Sequence, residues 1–415
     1  MRYKVLAALA ALLTVSVLAA CGGNSNSGGS SSSSSSSGGS SKSNGEALKI
    51  ALIPPSSGAL AVFGADAAKA WEYAAAEANA KGGVDGHKVE IVKAETDGQP
   101  PTTIRAARKA ATQQGAHFIA GVMTSPEHGA LAQQLPSMNA IDLNALGKDD
   151  ALTGKNCSPN AFRAVQSNTM DVNAIASTLS QLPAKKWAIQ AVDYSTGHSA
   201  AQKFKQAAEK AGKQVVLESY APLNTTEFGS YITKLKNADA DGLFAVEYGA
   251  DGVAFVNQGA QFKLFDKYKT VVGFNMVSEP LFKALGNKIV GFYNNLGYDV
   301  ASANPKNKSF VDGYTKKYGT APYYVPADNY LAAQMLFEAV KKAGSVDPAK
   351  VKQAMNGLAF DSIAGPVSMS SDGQLVRQSY LGQVVKKGDG LGWKVVASAA
   401  GDQTHPAPDP TCKTA

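Results

Sequence analysis

The chain has 415 residues, of which 44% are hydrophobic and 18% charged, and its formal net charge is +7. This length suffices for two domains of ordinary size, and the composition is typical of a soluble globular protein with large cores. The positive excess is spread along the chain without a run rich in Lys and Arg, which argues against a nucleic-acid partner.

The first twenty residues have the pattern of a secretory signal. Arg2 and Lys4 precede an apolar run that ends in Leu-Ala-Ala directly before Cys21. A basic start, a short apolar segment and a small-residue cleavage site make a signal peptide. The run is shorter than the roughly 20 residues that a membrane-spanning helix needs. Because Leu-Ala-Ala-Cys resembles a bacterial lipobox, we expect Cys21 to be lipidated and to become the mature N-terminus.

A segment of low complexity follows the cysteine. Residues 22–45 are almost entirely Gly, Ser and Asn, so they cannot bury a core and are expected to form a flexible tether of roughly 25–30 Å. We therefore assign 1–20 to the signal peptide and 21–46 to the lipidated cysteine and tether. The body is expected on the extracytoplasmic face of the cell membrane, held there by the lipid anchor.

The two remaining cysteines are Cys157 and Cys412. In an exported chain a leftover pair indicates a disulfide, which would hold the Pro-rich tail at 401–415 on the folded body. Metal ligation is the alternative, but two Cys and five scattered His show no ligand spacing. We expect neither a metal nor another cofactor.

From Leu48 onward, short apolar segments alternate with helical patterns. The predicted strands are 49–53, 88–94, 118–122, 187–192, 214–218, 242–246, 270–274 and 289–293. The predicted helices are 66–79, 101–114, 199–211, 228–237, 251–261, 307–318 and 327–343, and a β-rich tail covers 367–369, 380–385 and 393–397. This alternation predicts an α/β fold with mostly parallel sheets covered by helices on both faces.

Parallel α/β sheets bind ligands at the carboxyl ends of their strands. Five loops at such ends, drawn from both halves of the chain, could meet at one cleft; they contain 54–63, Ser125, 194–197, Tyr248 and Asn275. Ser125 is predicted to be a helix N-cap, with Pro126 in the first helical position and Glu127 in the first turn. The free N–H groups of such a helix start would suit an anion.

Motifs of the common enzyme classes are missing from the sequence. It contains no GxSxG, no GxxxxGK[ST], no GxGxxG after a strand and no HExxH. His198 could act as a general base, but its place beside Gly197 and Ser199 fits the start of a helix. Active sites can lack local motifs, so an envelope enzyme that turns over a bound solute stays an alternative. Nothing in these residues asks for an enzyme, and we predict that the protein is not one.

Several stretches of the body resemble one family. The segment from Leu48 through "GGVDGHKVE", together with "FRAVQSN", "DYSTGHS" and "YGADGVAFVNQG", is similar to the leucine/isoleucine/valine-type periplasmic binding proteins, the solute-binding components of ABC importers. The resemblance implies the type I periplasmic binding fold, with two Rossmann-like lobes joined by a three-crossover hinge. The first lobe would contain 48–165 plus 299–362, and the second 166–298 plus 363–400.

The resemblance also implies ligand-binding positions, which carry over residue by residue. Ser125 matches the residue whose hydroxyl, with the adjacent helix N-terminus, binds the ligand carboxylate. Phe63 and Tyr248 match aromatic walls from the first and second lobe, and rings in a cleft suit an apolar or aromatic ligand body. The alternative role of both rings is ordinary core packing.

Three segments depart from the family pattern. "LNALGKDD" stands where a Ser/Thr-containing loop is usual, although its Asn144 and Gly147 could supply an amide and a backbone N–H, and its Lys148 a charge. Thr196 replaces an aromatic, with Tyr194 two residues earlier. Asn275 stands where an acidic residue commonly receives the ligand ammonium, a role that Glu247 or Asp193 could take instead.

The expected function follows from these features. The resemblance implies a monomeric, membrane-anchored protein that captures a small carboxylate-bearing solute and delivers it to the permease and ATPase subunits of an ABC importer. The solute would be a branched-chain or aromatic amino acid, or an aromatic acid without an amine. The alternative is a sensing component that binds the same solute but signals to a membrane kinase or chemoreceptor.

Overall fold

The computed structural model describes residues 45–412, so the predicted signal peptide and Cys21 lie outside the described residues. The strands are β1 (Leu48–Leu52), β2 (Val89–Lys93), β3 (Phe118–Ala120), β4 (Ile141–Asn144), β5 (Ala161–Arg163), β6 (Lys186–Val192), β7 (Gln214–Ala221), β8 (Gly242–Val246), β9 (Thr270–Gly273), β10 (Tyr293–Leu296), β11 (Ala359–Ser362), β12 (Gly365–Met369), β13 (Leu375–Val376), β14 (Ser379–Lys387) and β15 (Gly390–Ala399).

Helices cover most of the intervening segments. They are α1 (Ala61–Ala80), α2 (Pro100–Gln114), α3 (Ser125–Ala132), α4 (Asn168–Leu179), α5 (Ser195–Lys210), α6 (Gly229–Asn237), α7 (Gly249–Gln261), α8 (Phe282–Leu285), α9 (Pro305–Tyr318), α10 (Tyr324–Ala343), α11 (Pro348–Met355) and α12 (Gly401–Thr404). Within residues 45–412, none of these helices combines the length and the hydropathy that crossing a bilayer requires.

The first sheet is parallel throughout, in the order β2-β1-β3-β4-β5. Strand β1, which lies between β2 and β3, is buried on both faces because α1 and α10 pack on one side while α2 and α3 pack on the other. The buried Trp71 indole on α1 donates to Asn329 Oδ1 on α10 at 2.9 Å, which fixes the two helices against each other.

The second sheet has the order β15-β14-β10-β9-β8-β6-β7. It is parallel from β7 to β10, whereas β14 and β15 form an antiparallel hairpin on its edge. Helices α4 and α5 cover one face and α6 and α7 the other. The Phe204 ring of α5 stacks on Phe244 of β8 with the ring centroids 4.0 Å apart, so this helix is in direct contact with the sheet.

The chain passes between the two sheets three times, and one side chain contacts all three passages. The Gln166 amide, on the first passage, donates to the carbonyl oxygen of Gly297 on the second at 3.2 Å. It also donates to that of Gln378 on the third at 2.9 Å. Arg377, next to Gln378, forms a buried ion pair with Asp328 of α10 at 2.7 Å. The predicted α/β fold with a three-crossover hinge is therefore confirmed.

The third passage differs from the predicted position at 362/363. Strands β11 to β13 form a small antiparallel sheet whose apolar residues belong to the core of the first sheet. The Arg163 amide of β5 donates to the carbonyl oxygen of Gly373 at 2.8 Å, which attaches this sheet to the edge of the first. We therefore propose that 363–376 belongs to the first lobe and that the second lobe resumes at β14.

After β15 the C-terminal tail contacts both lobes. The carbonyl oxygen of Thr404 accepts from the Asn173 amide of α4 at 2.8 Å. The next residue, His405, lies with Nε2 3.2 Å from Ser370 Oγ, beside the small antiparallel sheet. A disulfide then joins Cys412 to Cys157, which follows β4 in the first lobe.

Candidate ligand-binding site

A cavity lies where the carboxyl ends of the strands in the two sheets face each other. First-lobe residues reach it from the loops after β1, β3 and β4 and from the first turns of α1 and α10. Second-lobe residues reach it from the loops after β6, β8 and β9 and from the first turn of α5. Its lining consists of Leu60, Phe63, Met123, Leu146, Lys148, Tyr194, Thr196, Tyr248, Asn275, Tyr324 and Val325. This is the position at which an open parallel sheet offers its loops to a ligand.

The lobes are closed on each other around this cavity. Thr196 Oγ1 of the second lobe donates to Ser125 Oγ of the first at 2.6 Å. On the other side, the amide of Ala59 donates to Asn224 Oδ1 at 2.9 Å. Gly249 begins α7 with φ of 54°, and a Cβ at this position would lie 2.3 Å from the carbonyl oxygen of Ala59. Closure therefore needs a residue without a side chain here.

Aromatic rings from both lobes form much of the cavity wall. The first lobe supplies Phe63, whose centroid lies 6.2 Å from that of Tyr324 in an edge-on arrangement. The second lobe supplies Tyr194 and Tyr248, with centroids 6.5 Å apart. Together with the aliphatic lining residues, they favour a flat apolar ligand body, because rings provide both apolar area and stacking.

The polar part of the lining is organised by a buried ion pair. Lys148 Nζ, on a residue that is 3% exposed, lies 2.5 Å from Asp171 Oδ2. The same oxygen accepts from Asn295 Nδ2 at 2.8 Å. Burial raises the pKa of the Asp171 carboxyl, while Lys148 and the Asn295 hydrogen bond oppose that rise.

Asn295 also fixes the orientation of Asn275. The backbone N–H of Asn275 donates to Asn295 Oδ1 at 2.7 Å, so Asn295 has only its Nδ2 group left as a donor. That group donates to Asn275 Oδ1 at 3.1 Å. Asn275 Oδ1 therefore holds one hydrogen bond, and the Nδ2 group of the same side chain has no partner among the described residues and can donate to a ligand.

Two donors in the lining have no hydrogen-bond partner among the described residues, namely Asn275 Nδ2 and Tyr248 Oη. Burial raises the pKa of Tyr248 well above its ordinary value, so the phenol keeps its proton and acts as a donor. A buried polar group without a partner costs about 1–3 kcal/mol. Such groups in a cavity wall indicate a ligand that supplies acceptors.

Ser125 occupies a different position from the one predicted. Thr124, not Ser125, is the N-cap of α3, and it forms a capping box with Glu127. Ser125 Oγ accepts from the amide of Asp149 at 3.1 Å and from the Thr196 hydroxyl, and Ser125 is absent from the cavity lining. Its observed contacts connect the lobes.

Asn144 and Gly147 also lie outside the lining and form a turn with each other. Asn144 Oδ1 accepts from the amide of Gly147 at 2.7 Å, and its Nδ2 donates to the Gly147 carbonyl oxygen at 2.9 Å. The turn places Leu146 and Lys148 at the cavity. Of the predicted site residues, the structure brings five together around it: Phe63, Tyr194, Thr196, Tyr248 and Asn275.

The carboxylates near the site lie outside the cavity lining. Glu127 accepts from the hydroxyls of three threonines, and Asp193 pairs with His198 on the surface at 2.8 Å. Glu247 is fully buried, and burial raises its pKa to about 8. In the described part of the chain no acidic residue belongs to the cavity lining, and no cluster of His, Cys, Asp or Glu could hold a metal ion.

The part of the lining that comes from α10 could not be predicted from the sequence. Tyr324 and Val325 lie far along the chain from the other loops, in a segment predicted to be outside a helix. The sequence marks Lys148 as a charge near the site but not as a cavity residue. The segment "PYYVP" at 322–326 is the available signal for α10, since two consecutive aromatic residues before a helix need a large apolar contact.

Two closing lobes with a cavity at their strand ends define a two-lobed solute-binding protein. The family model of the periplasmic binding proteins matches residues 47–389. The chain therefore belongs to the periplasmic binding protein family. This membership confirms the predictions of a binding protein and of no enzyme.

Curated relatives agree with this family. The Leu/Ile/Val-binding protein homolog 7 of Brucella suis biovar 1 (strain 1330) is 29% identical over 342 residues, covering 78% of this chain and 83% of that protein. The Leu/Ile/Val-binding protein homolog 8 of Brucella abortus (strain 2308) is 28% identical over 328 residues, covering 75% and 80%.

Solved structures share the fold. A solute-binding protein of an ABC transporter from Rhodopseudomonas palustris BisB5, in complex with 3,4-dihydroxybenzoic acid, superposes with a TM-score of 0.79 at 24% identity, covering 86% of this chain and 98% of that one. An amino acid ABC transporter substrate-binding protein from Pseudomonas fluorescens Pf-5 superposes with a TM-score of 0.78 at 23% identity, covering 89% of this chain and 99% of that one.

Proposed function

We propose that this protein captures a small carboxylate-bearing solute between its closing lobes and delivers it to an ABC importer. The observation that carries the proposal is the cavity wall, in which the Lys148 ammonium and two free donors lie among aromatic rings from both lobes. A carboxylate supplies the acceptors that these groups lack, and its apolar body fits the rings.

Delivery to an importer is supported by the family and its solved members. Structural neighbours from Rhodopseudomonas palustris and Pseudomonas fluorescens are described as solute-binding proteins of ABC transporters. Three of the Rhodopseudomonas proteins were crystallised with 3,4-dihydroxybenzoic acid, 4-hydroxybenzoate or benzoate, and the Pseudomonas protein is named for amino acids. Both ligand classes are therefore candidates for this chain.

Binding measurements test whether the solute carries a carboxylate. Purified protein is screened by thermal shift and calorimetry against amino acids, aromatic acids and neutral sugars. A ligand present at about 100 times its Kd stabilises the native state by about 2.7 kcal/mol. Tight binding of a sugar, or the absence of any carboxylate ligand, would overturn the proposal. Solute uptake in a strain lacking the gene then separates import from sensing, because a sensor leaves uptake intact.

We also propose that the lipidated Cys21 holds the protein on the extracytoplasmic face of the membrane. The lipobox-like Leu-Ala-Ala-Cys and the tether behind it support this placement. Several acyl chains on one residue would give stable anchoring, whereas a single chain binds only marginally. Cys21→Ser should leave the protein unprocessed or released from membranes, with Ser37→Ala in the tether as the control. Correctly cleaved Cys21→Ser protein that remains on membranes would contradict the anchor.

A further inference from the structure

The inference concerns the chemical class of the solute and rests on the proposed function. We infer that Lys148, Tyr248 and Asn275 receive the anionic end of the ligand and that the site excludes an α-ammonium group. The solute is then an aromatic carboxylate without an amine. Ser125 and the helix start behind it, the carboxylate receptor implied by the family resemblance, act in lobe closure instead.

Lys148 and Asn275 lie at the same end of the cavity, which Tyr248 also lines. Lys148 Nζ and Asn295 Nδ2 both contact Asp171 Oδ2, at 2.5 and 2.8 Å, and Asn295 Nδ2 also contacts Asn275 Oδ1 at 3.1 Å. One amide group therefore connects the Lys148 ion pair to Asn275. Tyr248 lines the same cavity.

The unpartnered polar groups of the lining are hydrogen-bond donors. Asn275 Oδ1 already accepts from Asn295, whereas its Nδ2 group has no partner among the described residues. The Tyr248 hydroxyl has no partner among the described residues, and a lysine ammonium has no acceptor at all. A carboxylate, with two oxygens and about four lone-pair sites, matches three convergent donors.

An α-ammonium on the ligand would have no anionic partner in the cavity lining. The α-ammonium of an amino acid lies within about 3–4 Å of its own carboxylate, so it would be close to Lys148 Nζ and repelled by it. Residues 45–412 contribute no acidic side chain to the cavity lining. Asp171 is absent from that lining, and its charge is paired with Lys148, although its Oδ1 has no partner among the described residues. Glu247 is absent from it too, and it is protonated at neutral pH because burial raises its pKa to about 8. A buried cation without an anion is strongly disfavoured.

The test uses ligand sets that differ in one group, measured by calorimetry at pH 7. One set is phenylacetate, phenylglycine and phenylacetamide; the other is 3-phenylpropanoate, phenylalanine and 3-phenylpropanamide. In the set that fits, we expect the acid to bind at least tenfold tighter than both the amino acid and the amide. Phenylalanine or phenylglycine binding tighter than its amine-free acid would overturn the inference and leave the proposed function standing. If no carboxylate binds, the proposed function itself fails.

Tyr248→Phe tests the donor without disturbing the ring. It should weaken binding of the acid by about tenfold and binding of the amide by much less. Because the hydroxyl has no partner among the described residues, the variant should be as stable as the wild type or more stable, which separates a ligand role from a structural one. Tyr268→Phe is the matched control: both tyrosines are 8% exposed, but the Tyr268 hydroxyl donates to Leu235. Equal acid affinity in wild type and Tyr248→Phe would contradict the role of this hydroxyl.

Lys148 is tested together with its partner, because removing the lysine alone leaves an unpaired buried carboxylate. In the double variant Lys148→Met, Asp171→Asn, acid affinity should fall at least tenfold and the preference for acid over amide should disappear. Lys213→Met is the control, since that buried lysine donates to backbone carbonyls away from the cavity. A double variant that retains the full preference would overturn the assignment of Lys148.

Discussion

Glu247 offers a quantitative test of the electrostatics beside the site. Its side chain is fully buried, and burial raises its pKa from 4.5 to about 8. A hydrogen bond from Gln190 Nε2 at 2.9 Å lowers this pKa, whereas the charge of Asp251 raises it further. Its Oε2 atom has no partner among the described residues. We predict that Glu247→Gln, which keeps the shape and removes the titration, changes the pH dependence of stability.

The sign of the effect follows from the two states. Below about pH 4.5 the carboxyl is protonated in both the folded and the unfolded chain, and its favourable contribution is fully present. As the pH rises towards 8, the unfolded chain ionises while the folded chain keeps its proton, so that contribution to folding is lost. At 1.36 kcal/mol per pKa unit, a rise of about 3.5 units sets a ceiling of about 5 kcal/mol on the loss.

The assay is urea unfolding followed by tryptophan fluorescence at intervals from pH 4.5 to 8.5. The free energy of unfolding of the wild type should fall relative to that of Glu247→Gln across this range, by an amount up to the ceiling. The exposed Glu227→Gln is the control and should track the wild type. Parallel pH profiles for wild type and Glu247→Gln would refute the reasoning that burial holds this carboxyl protonated.

Three further predictions concern the lobes and the tail. Gly249→Ala should lower the affinity for every ligand at least tenfold in calorimetry, since its Cβ would lie 2.3 Å from the Ala59 carbonyl oxygen in the closed form. Unchanged affinity would show that closure can avoid this contact. Ser125→Ala removes the Thr196 hydrogen bond between the lobes, so it should lower the affinity for acids and for amides by the same small factor of about 2–10. A selective loss of acid binding would show that Ser125 binds the ligand carboxylate. Cys412→Ser should free the tail for protease cleavage, detected by mass spectrometry, and lower the free energy of unfolding by up to about 5 kcal/mol; a tail as resistant as in the wild type would show that its other contacts suffice.

The fold could be predicted where strands are buried on both faces. Residues 242–246 form a continuous apolar run, and β8 has these bounds. Strands β4 and β5 are absent from the predicted strands because each contains a buried charge, Asp142 and Arg163, which interrupts the apolar pattern. These charges are satisfied by His128 and by Gln374, which lies 211 residues from Arg163. A partner so distant in sequence cannot be read from a local pattern.

The strand predicted at 289–293 shows the same limit. The structure has a short 3-10 helix at Gly286–Ile289, and the strand follows at Tyr293–Leu296. Two asparagines lie at the centre of β10, buried because they hydrogen bond within the network around Asp171. Local hydrophobicity favours the earlier segment, whereas tertiary hydrogen bonds decide the later one.

The position of the site could be predicted from the sequence, but the polar side chains that line it could not. Strand-end loops indicate Phe63, Tyr194 and Tyr248, which line the cavity, because loops at the carboxyl ends of parallel strands share one edge of a sheet. The sequence could not show that Ser125 lies behind the lining while Lys148 reaches it. That difference depends on the turn held by Asn144 and on closure of the lobes.

The course of the tail determines how a fluorescent reporter of solute binding must be built. The chain enters the first sheet at β1, and the disulfide to Cys157 returns its last described residue, Cys412, to the same lobe. Dyes attached at Glu46 and at the exposed Thr411 would therefore move together when the lobes open, and the energy transfer between them would be insensitive to ligand. Placing one dye at the exposed Glu227 of the second lobe and the other at Glu46 puts the hinge between them.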